Sequence, residues 1–187
     1  MVRTFICVEI NNPDVIDQLG SIINTINFSG VRVVKLSQLH LTLKFLGEVP
    51  NPRISTIKEA IERIDEPQFE IELKSMGCFP NPNYIRVVWI GISKGNEQLM
   101  QITQTVEELL TPMGFPKEKR KYSPHLTLAR IKALNNTDKN TLQKFIRDSK
   151  GKSYGIQLID KVILKKSTLT PSGPIYEDLL VVPLKNQ

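Results

Sequence analysis

Apolar positions along this chain switch between strand and helix periods in a regular order. Phe5 to Ile10 (FICVEI) is rich in β-branched and aromatic residues and predicts a buried strand. An Asn12-Pro13 start follows, with Asn as N-cap and Pro at the first helical position. Val15, Ile16, Leu19, Ile22, Ile23 and Ile26 then recur at helical spacing, and the helix stops before Ser29-Gly30. Arg32 to Val34 predicts a short strand and Leu39 to Leu46 a longer one. Asn51-Pro52 repeats the cap-plus-proline start, and Ile54, Ile57, Ile61 and Ile64 mark one face of a second helix ending before Pro67. Phe69 to Phe79 opens with period-two alternation and predicts a strand. Pro80-Asn81-Pro82-Asn83 is a strong turn signal, and a lobe boundary is expected there.

The second half repeats the order. Tyr84 to Ile92 predicts a strand; Leu99, Ile102, Val106 and Leu109 mark a helix ending near Pro112 to Gly114. Tyr122 to Ile131 predicts a strand, and Thr137 is the expected cap of a helix facing inward through Leu142, Phe145 and Ile146. Tyr154 to Leu164 predicts one long strand and Ile175 to Leu184 a last one. His125 lies 85 positions after His40, and Tyr154 lies 85 after Phe69, so the two halves keep one register. The pattern predicts a single bilobal domain over 1–187, with a first repeat at about 1–80, a second at about 84–170 and a final strand at about 175–184. A pseudo-two-fold axis would bring equivalent strands to a shared cleft.

The repeat matters because of what it carries. The chain has two histidines, in Leu39 to Gly47 (LHLTLKFLG) and in Pro124 to Arg130 (PHLTLAR). A given histidine is followed by Leu-Thr-Leu on the order of once in a thousand times, and here both are. Alternate strand residues share a face. His40, Thr42 and Lys44 should therefore point one way and Leu41, Leu43 and Phe45 the other; His125 and Thr127 likewise oppose Leu126 and Leu128. Two imidazoles flanking a bound group suit general acid–base catalysis, since one can be neutral while the other is protonated near pH 7. Threonine hydroxyls can donate to phosphate oxygens. A metal site would normally need three or four ligands. Neither segment contains Asp or Glu, and the chain has no HExxH or CxxC, so no metal is expected.

Composition narrows the partner. Apolar content of 40% and charged content of 24% are ordinary for a globular protein. No apolar run approaches the roughly 20 residues of a membrane span, and the N-terminus reads as a strand, not a secretory signal. Cys7 and Cys78 match no zinc or redox spacing and read as reduced thiols of a cytoplasmic protein. The net charge of +6 favours an anionic partner. Its denser groups are Lys117 to Lys121, which leads into the second motif, and Lys161 to Lys166, which reads as a solvated loop or strand face.

With these residues in hand, LHLTLKFLGEV and SPHLTLARIK resemble the two HxTx motifs of the two-histidine phosphoesterase superfamily. Over essentially its whole length, including FICVEI and IYEDLLVVPL, the chain looks like the RNA 2′,3′-cyclic phosphodiesterases, also called 2′-5′ RNA ligases, of bacteria and archaea. The resemblance implies a bilobal α+β fold: two duplicated lobes, each with an antiparallel-rich sheet and two helices, around a central cleft carrying the HxTx motifs. It implies opening of RNA 2′,3′-cyclic phosphate ends to 2′-phosphates, without metal or nucleotide cofactor. It assigns His40 as proton donor, His125 as proton acceptor, and Thr42 and Thr127 as phosphate-binding. The symmetry of the duplication leaves acid and base undistinguished; only the family analogy assigns them. The resemblance also brings Phe45 to the site as a base-stacking aromatic and Arg130 as a phosphate ligand. Strict alternation puts both on the core side, five residues past their histidines, so a bulge or strand end would be needed to turn them. A non-catalytic RNA-end binding module, or a phosphodiesterase for a small cyclic or 2′-5′-linked nucleotide, is the alternative. A monomer without membrane attachment is expected.

Overall fold

The computed structural model describes residues 1–118, 122–171 and 173–186. Nine strands and four helices follow one another in these residues as β1 (Val2–Glu9), α1 (Pro13–Thr25), β2 (Val31–Val33), β3 (His40–Val49), α2 (Arg53–Ile61), β4 (Phe69–Asn81), β5 (Tyr84–Ile92), α3 (Asn96–Leu110), β6 (His125–Ile131), α4 (Asn136–Asp148), β7 (Ser153–Ile159), β8 (Lys161–Thr170) and β9 (Gly173–Pro183). Among these residues no helix is long and apolar enough to cross a membrane.

The strands form two sheets, ordered β3-β1-β8-β9 and β2-β6-β5-β4-β7, and every strand pair is antiparallel. The architecture is α+β with a sheet in each of two lobes. Position by position, β3-β1-β8-β9 matches β6-β5-β4-β7. Each sheet therefore takes two strands from the other half of the chain: β2 and β4 leave the first half to join β5, β6 and β7, with β4 pairing with β5, and β8 and β9 leave the second to join β1 and β3, with β8 pairing with β1. Helices are shared in the same way. α3 lies on β3 with α2 packed against it, while α1 lies on β7 and α4 on β4. One hydrophobic cluster runs through all of this, from Ile6 and Leu41 to Val88, Leu126 and Leu142.

Three expectations are corrected. Pro80–Asn83 is not a lobe boundary but the end of the β4–β5 hairpin, where Asn81 Oδ1 accepts from Asn83 N and Tyr84 N at 3.0 and 3.1 Å. Its strong turn chemistry marks a reversal within one sheet. The long strand expected over Tyr154 to Leu164 breaks at Asp160. β7 is a sheet edge with Ile156 and Leu158 exposed, whereas Val162 to Leu164 are buried on both faces inside the other sheet. The helix starts differ too. Asn12 caps α1 by accepting from Asp14 N at 3.0 Å, but Asn51 makes no such cap, and α4 is capped by Asn135, not Thr137. Proline at the N-cap of α2 has no side-chain acceptor to offer. Asn135 accepts from Asp138 N at 2.8 Å, the third amide of a helix that starts at Asn136, so Thr137 lies inside the first turn.

Candidate active site

Both HLTL segments lie in strands as expected, and both contain the same irregularity. In β3, Lys44 pairs with Ile6 and Thr42 with Cys7, so Leu43 has no partner. In β6, Ala129 pairs with Val88 and Thr127 with Trp89, so Leu128 has none. Each is a β-bulge, which inserts one residue and shifts the alternation beyond it. Two successive residues then face the core: Leu43 and Lys44, each 3% exposed, in β3, and Leu128 and Ala129 in β6.

The bulge decides where three predicted residues go. Phe45 returns to the outer face at 62% exposure, with its ring centroid 6.2 Å from that of Phe5, which also lies 5.0 Å from His40. Arg130 is likewise exposed, and its charge reaches His40 and Tyr176 on the other sheet. Lys44, expected beside His40, is instead turned inward. Its Nζ donates to Pro116 O at 2.8 Å and pairs with Glu107 at 3.3 Å. Glu107 also accepts from Glu118 N at 2.8 Å. A buried ion pair thus holds the segment that leads toward the second motif.

The two histidines are positioned alike. His40 Nδ1 lies 2.8 Å from Gln38 O, and His125 Nδ1 lies 2.8 Å from Ser123 O. A carbonyl can only accept, so each Nδ1 carries the hydrogen and each Nε2 is left to accept or donate a proton. Leu41, Leu126 and their neighbours anchor the strands from beneath, while Thr42 and Thr127 are half-buried on the histidine face. β3 and β6 lie against one another. A direct bridge joins them: Tyr122 OH donates to Thr42 O at 3.0 Å. Burial pushes the Tyr122 phenol up to about 12, so it remains a donor through the neutral range.

Around each imidazole is an aromatic wall that the motifs do not announce. Tyr176 of β9 meets His40 edge-on at 5.4 Å and Phe5 at 5.1 Å. Phe79 of β4 meets His125 edge-on at 5.1 Å, and Trp89 of β5 lies 6.2 Å from it. These residues reach the site through cross-strand pairing, so no local spacing marks them. The only available signal was that the sole tryptophan lies in a strand of the second half.

Charge also gathers beside His40. Lys165 is buried, not solvated as its cluster suggested; it pairs with Asp178 and, at 2.8 Å, with Glu9, which Lys161 approaches at 3.7 Å. Burial alone would lower the Lys165 pKa, but hydrogen bonds to Asp178 and Glu9 raise it above its ordinary value. Burial lowers the His40 pKa below 6.5, aided by the charges of Lys165 and Arg130 and opposed by the Gln38 carbonyl and Glu9. Of the Lys117 to Lys121 cluster, Lys117 is exposed near Glu108; residues 119–121 lie outside the described residues. Cys7 is buried and Cys78 half-buried, both free. Among the described residues no group of three or more His, Cys, Asp or Glu is arranged to hold a metal ion.

Known proteins resemble this chain in sequence and in fold. A model of the LigT-like phosphoesterases matches the chain twice in tandem, over residues 8–89 and 90–176. An RNA 2′,3′-cyclic phosphodiesterase of Aeropyrum pernix is 38% identical over 89% of this chain and 95% of its own length. One from Methanocaldococcus jannaschii is 38% identical over 94% of this chain and 97% of its own. Among solved structures, TT0787 of Thermus thermophilus superposes with a TM-score of 0.79 at 24% identity, covering 99% of each chain. LigT of E. coli complexed with 3′-AMP gives 0.78 at 22% identity, covering 98% of each, so the likeness there is one of fold.

Proposed function

The chain belongs to the LigT-like phosphoesterases, and from that premise we propose that it opens RNA 2′,3′-cyclic phosphate ends to 2′-phosphates by acid–base catalysis between two histidines. Water attacks phosphorus from the His125 side. Nε2 of His125 takes the proton of that water, while Nδ1–H stays on the Ser123 carbonyl. The bond from phosphorus to the 3′-oxygen breaks, and Nε2 of His40 protonates the departing oxygen. The phosphate remains on the 2′-oxygen. Thr42 and Thr127 donate to the non-bridging oxygens, Arg130 pairs with their charge, and Phe45 stacks on the terminal base. With a 5′-hydroxyl RNA end in place of water, the same steps would join two ends through a 2′-5′ linkage. No metal or nucleotide is needed in any step.

The observation that supports this reading most is the matched hold on both Nδ1 atoms, which leaves two Nε2 atoms for proton transfer. Lowering of the His40 pKa makes its protonated form a stronger acid, and the arriving phosphate charge draws the proton on. A non-catalytic RNA-end binding module would have no use for two imidazoles fixed in one tautomer. The same reading has the protein working as a cytoplasmic monomer without membrane attachment.

Short RNA bearing a 2′,3′-cyclic phosphate, incubated with the protein in EDTA without ATP, should yield a 2′-phosphate. His40→Ala and His125→Ala should each lower kcat by about 10² to 10⁴, with unchanged circular dichroism. Undiminished turnover in either variant would sink the two-histidine mechanism. A requirement for divalent metal would replace it with a metal mechanism, and turnover of only cyclic or 2′-5′-linked dinucleotides would move the substrate to small nucleotides.

A further inference from the structure

A groove of about 610 Å³ opens beside the His125 half of the site, between β4, β5, the start of α3 and the Tyr122–Pro124 approach to β6. That volume lies within the range of small-molecule sites, roughly 300–1,000 Å³. Two residues make the groove continuous with the site. Trp89 lines it and also packs toward His125, and Ser123 lines it while its carbonyl holds His125 Nδ1. The indole position is not one that packing alone would favour. Its Nε1 is buried with no hydrogen-bond partner among the described residues, which costs stability. The ring fits only because residue 77 is glycine: a Cβ there would lie 2.2 Å from it.

The groove floor is strained at the same place. Ser75 has φ 59°, the one left-handed non-glycine backbone among the described residues. It is a bulged residue, since Lys74 pairs with Gly91 and Met76 with Ile90. The conformation is held on both sides: Ser149 Oγ accepts from Met76 N, and Ser75 Oγ from Gly151 N, each at 2.9 Å. Strain held in this way tends to mark functional positions, and a bulge re-aims the side chains beside it. Beside it is Lys74, the one cation among the described residues that line the groove, and none of those residues is a carboxylate. An aromatic wall, an ammonium group and a hydroxyl floor suit a nucleotide, with its base against the ring and its phosphate on the charge.

We propose that this groove is a second nucleotide subsite, taking the ribonucleotide next to the reacting phosphate; it rests on the RNA-end reading given above. That nucleotide can come from the same strand, preceding the cyclic end, or from a 5′-hydroxyl strand in the joining direction. Both sources bring a base and a phosphodiester.

Lys74→Ala, with Lys74→Arg as the charge-keeping control, separates these cases. Hydrolysis of a 2′,3′-cyclic mononucleotide, which does not reach the groove, should keep its KM. Hydrolysis of a cyclic-ended dinucleotide, or joining to a 5′-hydroxyl oligonucleotide, should show KM raised about tenfold in Lys74→Ala and restored in Lys74→Arg. Loss in hydrolysis identifies the same strand; loss in joining identifies the incoming one. Loss in neither, or an equal loss with the mononucleotide, overturns the subsite. Trp89 gives a readout independent of turnover. An unreactive RNA dinucleotide ending in a 2′-phosphate should quench its fluorescence, with Kd weakened about tenfold in Lys74→Ala. Quenching in a protein that hydrolyses nothing leaves the subsite standing and the phosphodiesterase reading fallen. Turnover of the mononucleotide without Trp89 quenching does the reverse.

Discussion

At the scale of single residues, His40 and His125 share a motif, a strand position and a carbonyl partner, yet their surroundings differ. His40 lies against Phe5 and Tyr176 with the charge of Lys165 nearby, and its pKa falls below 6.5 through burial first and positive charge second. In its proposed role as the acid, His40 must be protonated to work. Activity should then fall as pH rises through its pKa, so the alkaline limb of kcat/KM in the free enzyme should begin below 6.5. Lys165→Met removes a positive charge that opposes protonation and leaves Glu9, which favours it. The alkaline limb should therefore move to higher pH while the acidic limb stays. The Lys165 pKa is itself raised, so its own titration stays out of this window. Movement of the acidic limb in a kcat/KM pH profile would instead identify His40 as the base and reverse the two roles.

At the scale of elements, the bulges in β3 and β6 are what separate the facing of the candidate residues in the structure from the facing read by alternation. His40, Thr42, His125 and Thr127 were legible because they precede the bulge, where period-two counting holds. Phe45 and Arg130 lie after it, and counting alone sends them to the core. A bulge has no residue signature here: the unpaired residues are leucines, like their neighbours. Lys44 shows the same failure from the other side, since a lysine on an alternating strand looks solvated until a partner across the fold is known. That partner, Glu107, lies 63 positions away. Removing one member of a buried pair strands the other charge, so Lys44→Met and Glu107→Leu should each cost about 3–5 kcal/mol in urea unfolding. The double substitution should recover most of that loss. If the two losses simply add, the pair does not hold the segment as described.

At the scale of the whole molecule, the order of strands and helices was readable from hydrophobic period and turn chemistry, but the allocation of strands to sheets was not. β4 follows the first motif in sequence and joins the sheet of the second; β8 does the converse. Pairing choice depends on edges and on distant partners, which a linear pattern does not contain. Cutting the chain between Pro82 and Asn83 should therefore not yield two folded lobes. Fragments 1–82 and 83–187 should each be unfolded alone by circular dichroism, and mixing them should restore the sheets and the turnover. A fragment that folds cooperatively by itself would show that the exchanged strands are dispensable. The exchange also bears on how the two lobes are joined. The chain passes from one sheet to the other between β1 and β2, β2 and β3, β3 and β4, and β7 and β8, so the two walls of the proposed site are laced together by covalent backbone, with the Tyr122 hydroxyl on Thr42 O as a further tie.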